Sequence, residues 1–296
     1  LVDATASAEL AAEHPALLEA GIAVVTANKH GGCLPLDEHR RRLAAERAGA
    51  LYRAATTVAA GLPVLRAVGD LRRSGDSLLE LRAVLSGTLS FVLGRLQSGR
   101  RFSEAVAEAR QLGLCEPDPG QDLRGLDVAR KLLVVLRTAG LRLELRDVEV
   151  ESLLPPGLPA EVGPDRLIAR LRHEDEAWEG RAAAARSSGQ RLTYVASFAA
   201  GVARARVESL PSGSPLARVR PGENVVQLRS QRYSDLPLTL AGPGAGPDLT
   251  AGNLLADLID AGHELVRGAA AASERRRWNP ELGEGAAWAL PHGACY

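Results

Sequence analysis

Ile22-Ala23-Val24-Val25-Thr26-Ala27-Asn28-Lys29 is a short apolar, β-branched run that ends in a polar turn. Such a run predicts a strand buried on both faces. Upstream, Ala8 to Ala20 predicts a helix interrupted or kinked at Pro15. Before it, Leu1-Val2-Asp3-Ala4-Thr5-Ala6-Ser7 reads as the end of another buried strand running into a loop. Downstream, Leu36 to Ala48 is amphipathic and helical, and Leu51 to Ala54 is a further candidate strand. Strands alternating with helices at this spacing imply parallel βαβ units. Residues 1–62 are therefore expected to form the later half of a doubly wound nucleotide-binding domain.

The organisation changes after Gly61-Leu62-Pro63. A helix (63–73) leads to a strand (78–85), and helices follow at 88–97, 102–112 and 126–138. Ser103 is placed to cap the second of these three. Strand-like runs at 148–153, 191–198, 202–210 and 224–229 have no helices between the later members. That pattern predicts an antiparallel or mixed sheet, with a helical excursion at 165–186. The expected class is α/β: a partial Rossmann-type domain plus an α+β substrate and dimerisation domain over 63–240. Residues 241–262, a strand ending in a glycine turn and then a helix over 249–261, are expected to return to the nucleotide domain. The Ala-, Gly- and Arg-rich tail 263–296 lacks periodicity and is expected to be disordered.

Zero formal net charge argues against nucleic-acid or acidic-membrane partners. There is no long apolar run for a membrane span and no secretory signal pattern. Three scattered cysteines (Cys33, Cys115, Cys295) suit a reducing cytoplasm, and no CxxC or His cluster suggests zinc. The sequence has no methionine and opens as if in mid-fold. It is expected to be truncated at its N-terminus.

Only two lysines stand among 36 basic residues. Arg serves wherever charge alone is needed, whereas Lys is a compact donor that can shed its proton when desolvated. Lys29 closes the Ala27-Asn28-Lys29 turn. Lys131 follows Glu116-Pro117-Asp118-Pro119, Asp122 and Asp127. Asp127 and Lys131 are spaced i,i+4 and share a helix face. Carboxylates can fix a substrate ammonium, and a nearby Lys can pass a proton to or from a hydroxyl or carbonyl. Leu85-Ser86-Gly87-Thr88 joins a strand to a helix, where the free N–H groups of Gly87 and Thr88 can hold a carboxylate.

Taken in order, Ala27-Asn28-Lys29, Ala60-Gly61-Leu62-Pro63, Leu85-Ser86-Gly87-Thr88-Leu89-Ser90, the Glu116–Lys131 run, and Gly244-Ala245-Gly246 with Thr250-Ala251 resemble the homoserine dehydrogenases. The likeness is above all to the dehydrogenase half of bifunctional aspartokinase–homoserine dehydrogenases, over about residues 1–262. It implies NAD- or NADP-dependent interconversion of L-homoserine and L-aspartate 4-semialdehyde, for threonine and methionine biosynthesis, in a cytoplasmic homo-oligomer, a dimer, with possible fusion to an aspartokinase. By the same resemblance Lys131 is the acid/base and Lys29 the lysine beside nicotinamide and substrate. Glu116, Asp127, Thr88 and Gly87 bind substrate, and Thr5, Ala6, Lys29 and Gly246 contact the cofactor. The carbonyls of Val58, Ala60 and Leu62 would ligate a monovalent cation, sodium.

Three departures stand out. The family's G-x-G-x-x-G loop, which cradles the pyrophosphate, is not in this sequence. Ala55 and Ala59 replace an acid and a glycine near the cation loop, and Leu114 replaces an aromatic residue. Two alternatives follow: an inactive truncated remnant, and a thiol-dependent semialdehyde dehydrogenase with Cys115 as nucleophile.

Overall fold

A computed structural model describes residues 1–158 and 163–278. The first strands are β1 (Val2–Asp3), β2 (Val24–Thr26) and β3 (Tyr52–Arg53). They form a parallel sheet in the order β1-β2-β3, with Asp3 level with Thr26 and Val24 level with Tyr52. Helices α1 (Ala8–Ala12), α2 (His14–Glu19) and α3 (Leu36–Arg47) supply the crossovers. The single helix expected over 8–20 is two helices joined at Glu13. The expected break is an interruption, not a kink, and falls at Glu13, two residues before Pro15. Pro15 itself lies in the first turn of α2, where its missing N–H costs nothing.

The remaining elements are α4 (Val64–Arg73), β4 (Leu78–Val84), α5 (Gly87–Gln97), α6 (Phe102–Gln111), α7 (Pro119–Leu123), α8 (Leu126–Thr138), β5 (Val148–Val150), α9 (Pro164–Leu171), α10 (Asp175–Ser187), β6 (Gln190–Ala199), β7 (Val202–Pro211), β8 (Glu223–Ser230), β9 (Leu238–Pro243) and α11 (Pro247–Trp278). Six of the strands make one sheet, β5-β7-β6-β4-β8-β9. Every pairing is antiparallel except β5 with β7, so the sheet is mixed as expected.

Helix α8 lies at the centre of the molecule. Val128, Ala129, Leu132, Leu133, Val135 and Leu136 are all buried, too many for one narrow stripe. The helix packs on β5, β6 and β7, on α4, and on the turn after β2. Each fully buried Leu contributes about 1.5–3 kcal/mol of transfer free energy. That burial holds Asp127 and Lys131 where the two sheets approach each other.

Other local expectations are corrected. Ser103 does not cap α6. The N-cap is Arg101, and Asp175 takes both the Ser103 N–H (2.8 Å) and its hydroxyl (2.8 Å). In the acidic loop, α7 forms at Pro119 under an Asp118 cap, and Glu116 lies outside any helix. The helix after the glycine turn does not stop at Ala261. It runs to Trp278, so 263–278 is helical instead of disordered. Ala and Arg favour helix without any amphipathic period. The rest of the expected tail, 279–296, lies outside the described residues.

Candidate active site

Level registration of Asp3 with Thr26 makes the loops after β1 and β2 leave the sheet side by side. Asp3 is fully buried and ties them together. Its Oδ1 accepts from the Thr5 N–H (2.9 Å) and hydroxyl (2.8 Å), and its Oδ2 from Asn28 Nδ2 (3.0 Å). His14 Nε2 lies 2.9 Å from the same Oδ2. Burial works to raise the Asp3 carboxyl, but these hydrogen bonds outweigh it and hold the group below the ordinary value. Burial lowers His14, with Asp3 opposing. Asn28 also donates to the Ser7 carbonyl (2.7 Å) and caps the turn Lys29–Gly32 by accepting the His30 N–H (3.1 Å). The base of Lys29 is thereby fixed, while Thr5 and Ala6 remain exposed at the strand end.

From the other side, Gly125 starts α8 in the left-handed region (φ 72°), and Asp127 and Lys131 follow one turn apart. Lys29 Nζ lies 2.9 Å from Asp127 Oδ1, and Lys131 Nζ lies 2.9 Å from Oδ2. The lysines are therefore bridged by one carboxylate. Burial alone would raise Asp127, but the Lys131 and Lys29 ammonium groups hold it well below the carboxylate range. Lys131 also donates to the Leu85 carbonyl (2.7 Å).

Leu85 leads directly into α5. Ser86 caps that helix by accepting the Leu89 N–H (3.1 Å). The N–H groups of Gly87 and Thr88 have no acceptor among the described residues. The Thr88 hydroxyl donates to the Leu114 carbonyl (2.6 Å), anchoring the acidic loop to the helix start. The Glu116 N–H donates to Asp122 Oδ2 (2.9 Å). Burial raises Asp122, with the Glu116 N–H counteracting. The Glu116 carboxylate itself is exposed and has no protein partner among the described residues.

Lys29, Asp127, Lys131, Gly87, Thr88 and Glu116 thus belong to one bonded set of segments, and Thr5 and Ala6 join it through Asp3 and Asn28. Gly246 (φ 132°) lies in the turn before α11, where Thr250 bonds back to its carbonyl through N–H (3.0 Å) and hydroxyl (2.9 Å). The start of α11 packs on the loop of Val58, Ala60 and Leu62. Asn253 donates to the Ala60 carbonyl (2.7 Å), and Leu249 lies against Gly61. Sequence inspection did not select Asp3 or Asn28, which orient the others without bearing the chemistry. Asp122 stood in the acidic run, but its role as a loop anchor was not legible.

Cys115 is a poor nucleophile. Burial raises its thiol, and Asp122 adds to the rise. The other groups acting on it are Arg110 and Glu116, none of them an imidazole. Among the described residues no histidine is hydrogen-bonded to Cys115, which counts against the thiol-dependent alternative.

Fold and site together define a two-part α/β protein. Parallel strand ends present one lysine, and a mixed-sheet half presents the second lysine with its carboxylates. The family model described as homoserine dehydrogenase matches residues 63–259. A bifunctional aspartokinase/homoserine dehydrogenase of Haemophilus influenzae is 39% identical over 261 residues, covering 87% of this chain and 32% of that protein. A solved structure of a Candida auris protein of unknown function is 32% identical with a TM-score of 0.84, covering 88% of this chain and 75% of the other. A hyperthermophilic archaeal homoserine dehydrogenase mutant in complex with NADPH, at 24% identity and TM-score 0.68, covers 89% of this chain and 71% of its own and shares the fold. The chain belongs to the homoserine dehydrogenase family. It spans about a third of the length of the curated relatives it matches. Among the described residues no helix is long and apolar enough to cross a membrane.

Proposed function

We propose that this chain carries the catalytic centre of an NAD(P)-dependent homoserine dehydrogenase, interconverting L-aspartate 4-semialdehyde and L-homoserine in threonine and methionine biosynthesis. The observation that carries it is the Lys29–Asp127–Lys131 bridge beside the open N–H groups of Gly87 and Thr88. The substrate has an ammonium and a carboxylate at one end and an aldehyde at the other. Glu116, exposed and without a protein partner among the described residues, takes the ammonium. The α5 start takes the carboxylate. Lys131 then donates its proton to the carbonyl oxygen as a C–H bond forms at the carbonyl carbon, so the displaced π pair ends as a neutral hydroxyl. Asp127 keeps both ammonium groups aimed, and Lys29 adds positive charge where the oxygen becomes negative.

The nicotinamide, when bound, supplies the hydride in this direction. Exposed Thr5 and Ala6, held through Asp3, fit the nicotinamide end, with Lys29 beside them and Gly246 as a further proposed contact. The pyrophosphate loop has no counterpart in the sequence given. The proposed sodium site is a weak fit. The Ala60 carbonyl already accepts from Asn253 and the Leu62 carbonyl from the Val64 N–H (2.8 Å), while Ala55 offers no carboxylate. A cytoplasmic homodimer, fused to an aspartokinase as the relatives' names describe, completes the proposal.

The test is NADPH consumption with L-aspartate 4-semialdehyde, paired with calorimetric binding of L-homoserine. Turnover that disappears in Lys131→Met supports the proposal. Homoserine binding without turnover favours the remnant alternative, and neither binding nor turnover overturns the site assignment.

A further inference from the structure

A separate cleft of about 880 Å³ lies along the outer edge of β3, walled by α3, α4, α8 and α11. Its volume falls in the small-molecule range. None of the residues placed in the catalytic centre lines it. Its carboxylates are already satisfied: Glu46 by Arg42, Glu264 by Arg53, Asp257 and Asp260 by Arg66, and Asp70 by Arg73. Arg72 and Arg137 also line it and have no carboxylate partner among the described residues. The cleft therefore carries surplus positive charge.

Two of its guanidinium groups are buried with a donor unused. Arg137 is 4% exposed and spends Nε on the Leu143 carbonyl and Nη1 on those of Gly32 and Leu34, yet its Nη2 has no partner among the described residues. Arg42 is 9% exposed, stacks on the Tyr52 ring and leaves Nε without a partner among the described residues. Buried donors without acceptors are costly, and an incoming acceptor removes the cost. His39 senses the same charge. Burial first, and then the Arg42, Arg137 and Arg72 guanidinium groups, push it down to about 3, and all four side chains line the same cleft. Arginine forks match the paired oxygens of phosphate and carboxylate.

We propose that this cleft binds a small dianion, a phosphate monoester or a dicarboxylate, between Arg42, Arg72 and Arg137. The site is additional to the homoserine chemistry and shares none of its side chains. Titration calorimetry on this chain at constant ionic strength, with inorganic phosphate and with succinate as probes, tests it. Saturable binding of one or both is expected. A preference for phosphate identifies the ester class, and a preference for succinate the dicarboxylate class. Arg72→Glu, at an exposed position on α4, is expected to weaken binding roughly tenfold or more, equivalent to about 1.4 kcal/mol. Arg137→Lys, which lacks the unused Nη2, is expected to weaken it as well, with thermal unfolding run alongside to show that the variant is folded. Lys131→Met is expected to leave binding unchanged. Absence of saturable binding overturns the proposal, and so does binding that survives Arg72→Glu but is lost in Lys131→Met, which places the anion at the catalytic lysines.

Discussion

Asp127→Asn removes one negative charge from between two ammonium groups while keeping the side chain's size. Each ammonium nitrogen lies 2.9 Å from a carboxylate oxygen, yet the two halves of the bridge are unequal. Lys29 is 39% and Asp127 38% exposed, so water screens that pair to about 0.5 kcal/mol. Lys131 is 13% exposed and pinned to the Leu85 carbonyl, so its bond is closer to a buried charge-assisted one. That class contributes about 1.5–3 kcal/mol, and the open side of Asp127 places it at the low end. The sum is about 2 kcal/mol of stability at neutral pH. At about 2–4 °C per kcal/mol, the melting midpoint should fall by about 4–8 °C. Because the folded-state carboxyl is held below the ordinary range, its contribution is complete above the unfolded value of about 3.9. It is lost only as pH falls through the lower folded value. The gap between native protein and variant should therefore be flat from about pH 5 to 8 and close below about pH 4. Thermal unfolding monitored by circular dichroism across that range measures it. NADPH consumption should fall roughly tenfold or more, since the proton donor is no longer aimed. A gap that widens toward acid, or a variant with unchanged midpoint and turnover, refutes the reasoning.

Lys131→Arg preserves charge but not the compact donor, so the protein should fold normally and lose about 10²–10⁴ in kcat; near-native kcat in a steady-state assay removes Lys131 as the acid/base. Cys115→Ser should turn over normally and iodoacetamide should not inhibit, because the thiol is held protonated; substrate-protected inactivation by the reagent contradicts this. Gly125→Ala should destabilise by about 3 kcal/mol or more in urea unfolding, combining a left-handed backbone with a collision of the new Cβ against the Tyr194 hydroxyl. A loss under about 1 kcal/mol would show that α8 can shift to accommodate the methyl group.

Much of the fold was legible because it rests on local periodicity. Val24-Val25-Thr26 can only be a two-sided buried strand, and Leu126 to Thr138 matches α8 to the residue. Misreadings arose where propensity and pattern disagree. Pro15 has opposite meanings in the middle and in the first turn of a helix, and only the break at Glu13 settles which applies. Ser103 looks like a cap, yet Asp175, distant in sequence, supplies the acceptor. The Ala- and Arg-rich stretch after Ala261 is helical through propensity and through contacts such as the Glu264–Arg53 ion pair, neither of which leaves an apolar period in the sequence.

The sequence by itself determined the candidate chemistry: two lysines in an arginine-rich chain, an acidic loop before α8, and a glycine-led helix start, each set by residue type and short spacing. Only the tertiary structure decided that Lys29 and Lys131, far apart along the chain, share the single carboxylate of Asp127. It also decided that buried Asp3 aligns the Thr5 and Asn28 loops. The physical reason is that a helix or strand is set by neighbours within a few residues. A bridged charge requires two separate backbones held within hydrogen-bonding distance, and here the burial of α8 against the mixed sheet, with the turn after β2 packed on it, holds them there.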